Sequence, residues 1–184
     1  IGEHPLESYP TFVGNGIRKL FERALPATLR TPEMVEKVRE IFLAYYDVHN
    51  RDETIPYEGI LSLLEKLQNM GVQLAVASNK YQSATEKLIA FYFPAIKFVS
   101  VLGQREGIPT KPDARIVLDI LATAQVTAED TLYVGDSGVD MQTAHNAGIE
   151  SVGVSWGFRP ISELEANGAE HVIHQAEELL SFIN

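Results

Sequence analysis

From Tyr57 onward the chain repeats one unit, a helix-length amphipathic stretch followed by a short, almost wholly apolar run. Tyr57 to Met70 sets Ile60, Leu61, Leu63, Leu64 and Leu67 on one helical face, Gly71 stops it, and Val72–Ala77 follows at strand length. The same pair recurs as helix 81–92 with strand Phe98–Leu102, helix 113–124 with strand Thr131–Val134, and helix 139–147 with strand Ser151–Val154. A shorter helix over 162–167 leads to His171–Ile173, and a helix over Ala176–Ile183 closes the pattern. Strands that are apolar throughout, without alternation, are buried on both faces, and this requires helices above and below them. The expected fold class is α/β, a Rossmann-like parallel sheet core.

The first fifty residues follow a different rule. Ile17, Leu20, Phe21, Ala24 and Leu25 recur at helical spacing, and Thr31-Pro32 has the form of a helix start, a hydroxyl cap followed by proline. Met34/Val35, Val38, Ile41/Phe42 and Tyr45/Tyr46 continue the helical period to about Asn50. Nothing here alternates with period two. The division expected is a small helical unit over residues 1–53 and the α/β core over 54–184.

Composition removes several classes of function. The chain has 184 residues and no cysteine, so disulfides, thiolate zinc clusters and cysteine nucleophiles are excluded. Twenty-five acidic residues against 15 basic ones give a net charge of −10 with no Lys/Arg cluster, which argues against a nucleic-acid partner. No apolar run approaches the roughly 18 residues of a membrane span. Ile1-Gly2-Glu3-His4-Pro5 has neither the basic nor the apolar segment of a signal peptide, so a cytoplasmic location without membrane contact is expected.

In open α/β sheets chemistry collects at the carboxyl ends of the strands. The first such end carries Ser78-Asn79-Lys80, where a hydroxyl and free backbone N–H groups suit a phosphate oxygen. The competing reading is that Ser78 is a simple helix N-cap. Lys111-Pro112 opens the next helix, and there a lysine ammonium can meet a bound anion as a compact charge, although a lone lysine is more often a solvated surface residue. Gly135-Asp136-Ser137-Gly138-Val139-Asp140 is the strongest local signal, two carboxylates around a glycine turn directly after an apolar strand. Carboxylate oxygens are what Mg²⁺ requires, against the plainer reading of an Asx-turn with an N-cap.

Other matches carry less. Gly153-Val154-Ser155-Trp156-Gly157 fits the G-x-S-x-G of a serine nucleophile elbow, but Phe158-Arg159-Pro160 starts no helix and no aspartate follows Ser155. Gly14-Asn15-Gly16-Ile17-Arg18 lacks the third glycine and the preceding strand of a dinucleotide fingerprint. It reads as a helix-entry turn from which Arg18 reaches toward an anion across a cleft. His171 and His174 lie three apart in a strand and face opposite ways, so they chelate no metal together.

Taken together, Ser78-Asn79, Lys111-Pro112-Asp113 and Gly135-Asp136-Ser137-x-x-Asp140 resemble the haloacid dehalogenase-like superfamily of Mg²⁺-dependent phosphatases, over nearly the whole chain. Val13-Gly14-Asn15-Gly16, Pro56-Tyr57-x-Gly59 and Val154-x-Trp156-Gly157 are similar to its phosphoglycolate phosphatase branch. The resemblance implies that residues 1–53 form a helical cap. It also implies an enzyme that hydrolyses a small phosphorylated, phosphoglycolate-like metabolite with Mg²⁺ as cofactor. By the same resemblance Ser78 and the Asn79 N–H would hold the phosphoryl group, and Lys111 would neutralise charge on it. Asp136 would ligate the metal, with Asp140 orienting its waters or ligating weakly, and Gly14, Asn15, Gly16 and Arg18 would belong to a substrate-facing loop.

The superfamily's phosphatases also carry Asp-x-Asp on a first core strand ahead of the cap, where the first aspartate attacks phosphorus and the second acts as general acid and base. No Asp-x-Asp occurs in these 184 residues, and the chain opens inside what resembles the cap. The nucleophile of the expected aspartyl-phosphate therefore lies outside this chain, and the two strands that would flank the first strand are expected to lack a ladder partner. Three alternatives stay open: a non-catalytic pseudo-phosphatase or interaction module, a 2-haloacid dehalogenase, and a sugar-phosphate mutase.

Overall fold

The computed structural model describes residues 4–183, so Ile1–Glu3 of the N-terminal segment read above lie outside the described residues. The helical part comprises α1 (Tyr9–Phe12), α2 (Ile17–Ala24) and α3 (Pro32–His49), with single 3₁₀ turns at Leu6–Ser8 and Ala27–Leu29. Thr31 caps α3 as its sequence predicts, its hydroxyl accepting the Met34 N–H at 3.3 Å. Phe21 and Leu25 of the α2 region and Val35 of α3 form a small core of their own, packed by Ile17, Leu20, Met34, Val38 and Phe42.

Beyond them, strands and helices alternate: α4 (Ile60–Asn69), β1 (Leu74–Tyr81), α5 (Gln82–Tyr92), β2 (Phe98–Gln104), α6 (Arg115–Ala124) and β3 (Leu132–Gly135). Then come α7 (Gly138–Ala147), β4 (Glu150–Val154), α8 (Ile161–Ala166) and β5 (His171–Ile173). The architecture is α/β with parallel pairing throughout, as the apolar runs imply.

Boundaries differ from the periodic pattern where a local group intervenes. α4 starts at Ile60 instead of Tyr57 because Gly59 takes φ +77°, a left-handed conformation that no helix interior accepts. α6 starts at Arg115 instead of residue 113 because the Asp113 carboxylate accepts the Arg115 N–H at 2.8 Å and holds an Asx-type turn. The C-terminal segment Ala176–Phe182 is 3₁₀ where an α-helix is expected, a tighter winding common in short end segments.

The strands form two sheets, β1-β2 and β3-β4-β5, so β1 and β3 each have a neighbour on one side only. Side chains nevertheless hold the two sheets together on both faces. Leu74 of β1 shares a core cluster with Val152, Val154 and Ile173, covered by Leu63 and Leu67 of α4 and by Ala176 and Leu179. On the other face Tyr133 of β3 packs with Ile116 and Val117 of α6 and Ala144 of α7, and Ala77 and Leu102 join them. One-sided pairing goes with greater exposure. β4, paired on both sides, is buried from Ser151 to Val154, whereas Val134 on β3 is 42% exposed. Among the described residues no helix is long and apolar enough to cross a membrane.

Gly153 owes its place to packing. A Cβ there would stand 3.0 Å from Leu164 Cδ1, so the bare backbone of β4 is what lets Leu164 of α8 settle on the sheet, fully buried. Leu164→Ala is therefore expected to lower stability by about 2–5 kcal/mol in urea unfolding. A loss below about 1 kcal/mol would show that α8 does not anchor the β4 face.

Candidate active site

Between Ala77↔Leu102 and Tyr81↔Gln104 the β1–β2 ladder is irregular, with four steps along β1 against two along β2. The strand bulges over Ser78-Asn79-Lys80, and α5 begins only after Tyr81, so Ser78 is not the N-cap of that helix. A bulge re-aims side chains that a regular strand would alternate between faces. Ser78, Asn79, Lys80 and Tyr81 all line one cavity of about 370 Å³ at the carboxyl ends of the strands. Lys111, Asp136, Ser137 and Asp140 line the same cavity, as do Phe158 and Arg159. The helical part contributes the facing wall, through Pro10, Val13, Gly14, Gly16, Ile17, Leu20, Phe42 and Tyr46.

The Asn79 side chain is buried and joins three segments. Its amide N–H group donates to Gly14 O at 3.0 Å and Lys111 O at 3.2 Å, and its carbonyl oxygen accepts the Lys111 N–H at 2.8 Å. Asn79 thus fixes the Lys111 backbone against β1 and against the glycine turn of the helical part.

Lys111 sits inside this frame and not on a helix lip. Its ammonium donates to Ala77 O at 3.0 Å, to the Tyr133 hydroxyl at 3.2 Å and to Asp140 Oδ1 at 2.6 Å, which engages all three N–H groups. The side chains of Lys111 and Asp140 are only 10% and 9% exposed. Burial works against the lysine's charge, but the Tyr133 oxygen and the Asp140 carboxylate outweigh it and raise its pKa above the ordinary lysine value. Burial likewise works to raise Asp140, and Lys111 outweighs it and holds that carboxyl below its usual range. The Tyr133 phenol is pushed up to about 12, by burial first, against the opposing pull of Lys111.

Asp140 has a second duty. Its Oδ2 accepts the Ser137 N–H at 3.1 Å and the Ser137 hydroxyl at 2.6 Å, while Ser137 Oγ accepts the Asp140 N–H, a capping box at the start of α7. Gly135 makes room for it, since a Cβ there would overlap Asp140 Cβ. Both Asp140 oxygens are thus occupied by protein donors, and in this arrangement the residue orients Lys111 and offers no free lone-pair face to a metal.

Asp136 is different. One oxygen accepts the Phe158 N–H at 3.1 Å, the other has no protein donor among the described residues, and the carboxylate borders the cavity. Gly157 leaves the space it occupies, because a Cβ at that position would overlap Asp136 Cβ. Tyr57 stands near enough that its phenol pKa is raised, by burial and then by the charge of Asp136. Mg²⁺ commonly takes one or two carboxylates and completes its shell with waters and phosphate oxygens, and Asp136 fits one such position. Among the described residues no cluster of three acidic, histidine or cysteine side chains surrounds it.

The loop residues divide. Gly14 and Gly16, both at positive φ, border the cavity. Asn15 instead accepts from Arg23 Nη2 at 2.8 Å, and Arg18 is exposed and turned to Glu22 at 3.2 Å, so neither lines it. Ser155, of the G-x-S-x-G match, contacts His174 Nδ1 at 3.1 Å away from this cavity, and Trp156 packs on the core. Sequence reasoning passed over Tyr133, Lys80, Phe158 and Arg159. A tyrosine inside a strand expected to be buried on both faces was a readable signal, because its hydroxyl needs a partner there.

The chain is similar to known proteins over most of its length. The model of the haloacid dehalogenase-like hydrolases matches residues 1–154. The phosphoglycolate phosphatase of Mesorhizobium japonicum is 33% identical over 158 residues, 84% of this chain and 70% of that protein. The enzyme of the same name from Pseudomonas savastanoi pv. phaseolicola is 34% identical over 169 residues, 86% of this chain and 60% of its own length. The chain thus spans 60% to 70% of these curated relatives. A crystal structure from Lactobacillus delbrueckii subsp. bulgaricus, described as a candidate phosphoglycolate phosphatase, superposes with a TM-score of 0.90 at 31% identity, covering 98% of this chain and 84% of that one. Sequence and architecture thus agree over most of its length, and the chain belongs to the haloacid dehalogenase-like hydrolases, among relatives named as phosphatases.

Proposed function

We propose that the protein is a Mg²⁺-dependent, cytoplasmic phosphomonoester hydrolase that acts on a small phosphoglycolate-like metabolite through an aspartyl-phosphate. The observation that carries this reading is the meeting of Ser78, Lys111 and Asp136 on one cavity although they lie far apart in the chain. The names of its relatives support the substrate class. The attacking aspartate belongs to a residue outside this chain, and the one-sided pairing of β1 and β3 supports a strand between them as its carrier.

In this mechanism the Ser78 hydroxyl donates to a phosphoryl oxygen. Lys111 acts chiefly through its charge, since its N–H groups already have partners. Asp140 and Tyr133 keep that ammonium protonated and fixed in direction. Asp136 is the residue of this chain that would hold Mg²⁺, which when bound supplies the positive charge that draws electrons from phosphorus. An acidic protein accepts an anionic substrate only because these groups invert the field locally.

Asp136→Asn in the full-length protein is expected to lower Mg²⁺-dependent hydrolysis of phosphoglycolate by about 10²- to 10³-fold. Unchanged turnover would reject the assignment, and full activity in EDTA would reject the metal.

The Lys111–Asp140 pair sets a pH window. Asp140, with its native pKa depressed, contributes stability that is full above about pH 4 and is lost as pH falls through the native value. Lys111, with its native pKa raised, contributes stability that is full below about pH 10 and is lost as pH rises through the native value. Lys111→Met is therefore expected to cost about 3–5 kcal/mol in urea unfolding at neutral pH, because it leaves a buried carboxylate unpaired. The difference from wild type should be greatest at neutral to mildly alkaline pH and shrink steadily as pH falls, because without Lys111 burial raises the Asp140 carboxyl, which then takes up a proton before its wild-type counterpart does. A difference independent of pH down to about pH 2 would show that the pair does not carry it.

A further inference from the structure

The cavity contains a cation that the mechanism above does not use. Lys80 lines it from the bulge of β1, and its amine donates to the Tyr46 hydroxyl at 2.6 Å, 4.5 Å from the centre of that ring. Among the described residues this phenol is its hydrogen-bond partner, and no carboxylate stands at ion-pair distance. An ammonium has three donors, so two remain for a ligand. The other cavity cations are engaged: Lys111 with Ala77, Tyr133 and Asp140, and Arg159 with Val13 O at 2.9 Å and Glu163 at 3.6 Å.

The surroundings of Lys80 sharpen the point. Val13, Ile17, Leu20 and Phe42 make the facing wall apolar, so an unanswered charge there gains nothing from its neighbours. Tyr46 is itself held, stacked on Phe42 at 5.0 Å between ring centres, and so fixes the amine before any ligand arrives. Lys80 lies two residues beyond Ser78 in the same bulge, a backbone separation of at most about 7 Å. Ser78 Oγ accepts the Lys80 N–H at 3.0 Å and both residues line the one cavity, so an anion at Lys80 and a phosphoryl group at Ser78 can belong to one small molecule.

Building on the phosphomonoesterase reading, we propose that Lys80 is the specificity-determining residue of this site. It takes the carboxylate of a short phosphorylated hydroxy acid, with Tyr46 as its positioning residue. The carboxylate accepts the two free N–H groups of Lys80 while the ester phosphate sits at Ser78. A neutral leaving group of the same size would leave the ammonium without a counter-charge.

The test compares kcat/KM for phosphoglycolate and for ethyl phosphate, of similar size but without the carboxylate, in the full-length protein. Wild type should prefer phosphoglycolate, and Lys80→Met should reduce that preference by about 10- to 100-fold, the worth of a charge-assisted hydrogen bond. Lys80→Arg should restore most of it. A ratio is insensitive to the fraction of folded enzyme, so a purely structural role for Lys80 would leave it unmoved, and that result overturns the proposal. Equal hydrolysis of the two esters by wild type would also overturn it while leaving the phosphatase reading standing. If wild type hydrolyses neither ester, the phosphoglycolate-like substrate of the proposed function fails and this assignment falls with it.

Discussion

A buried ammonium with every proton assigned holds the cavity end of this molecule in place. Lys111 comes from the loop ahead of α6, and its three partners come from β1, β3 and α7. It therefore links the carboxyl-terminal ends of β1 and β3, where no backbone ladder joins the two sheets. Apolar side chains of similar volume would hold these elements together as well or better, because removing two charges from water is costly. What the ion pair adds is direction: a fixed positive charge at a defined place beside the cavity.

Asp136 and Asp140 illustrate how one short motif divides its work. They lie four residues apart around one turn, yet one carboxylate is saturated by protein donors and the other is half free. The capping box of α7 produces the difference, since the N-terminal hydrogen bonds of the helix fall on the second residue and leave the first beyond them. Gly135 and Gly157 then shape the two places, each by lacking the atom that would collide with a carboxylate.

Much of this was readable from residues alone. Apolar runs without alternation announced parallel strands, of which β4 alone is buried along most of its length, and Thr31-Pro32 marked the start of α3. Three things were not legible. Irregular pairing inside β1 depends on what β2 offers it, which no local pattern encodes. The turn of Arg18 toward Glu22 was a choice between two acceptable partners, settled by a neighbour on its own helix. Lys80 draws its meaning from a group 34 residues away, beyond any motif.

The extra length in β1 has a consequence for how this site can change. Four consecutive side chains, Ser78 to Tyr81, address one cleft, whereas a regular strand would send every second one to the far side. Shortening the segment by two residues would restore ideal pairing with β2 while scattering the chemistry. The residue count of this stretch is therefore as constrained as the identities of Ser78 and Asn79: the site is written in spacing as much as in identity.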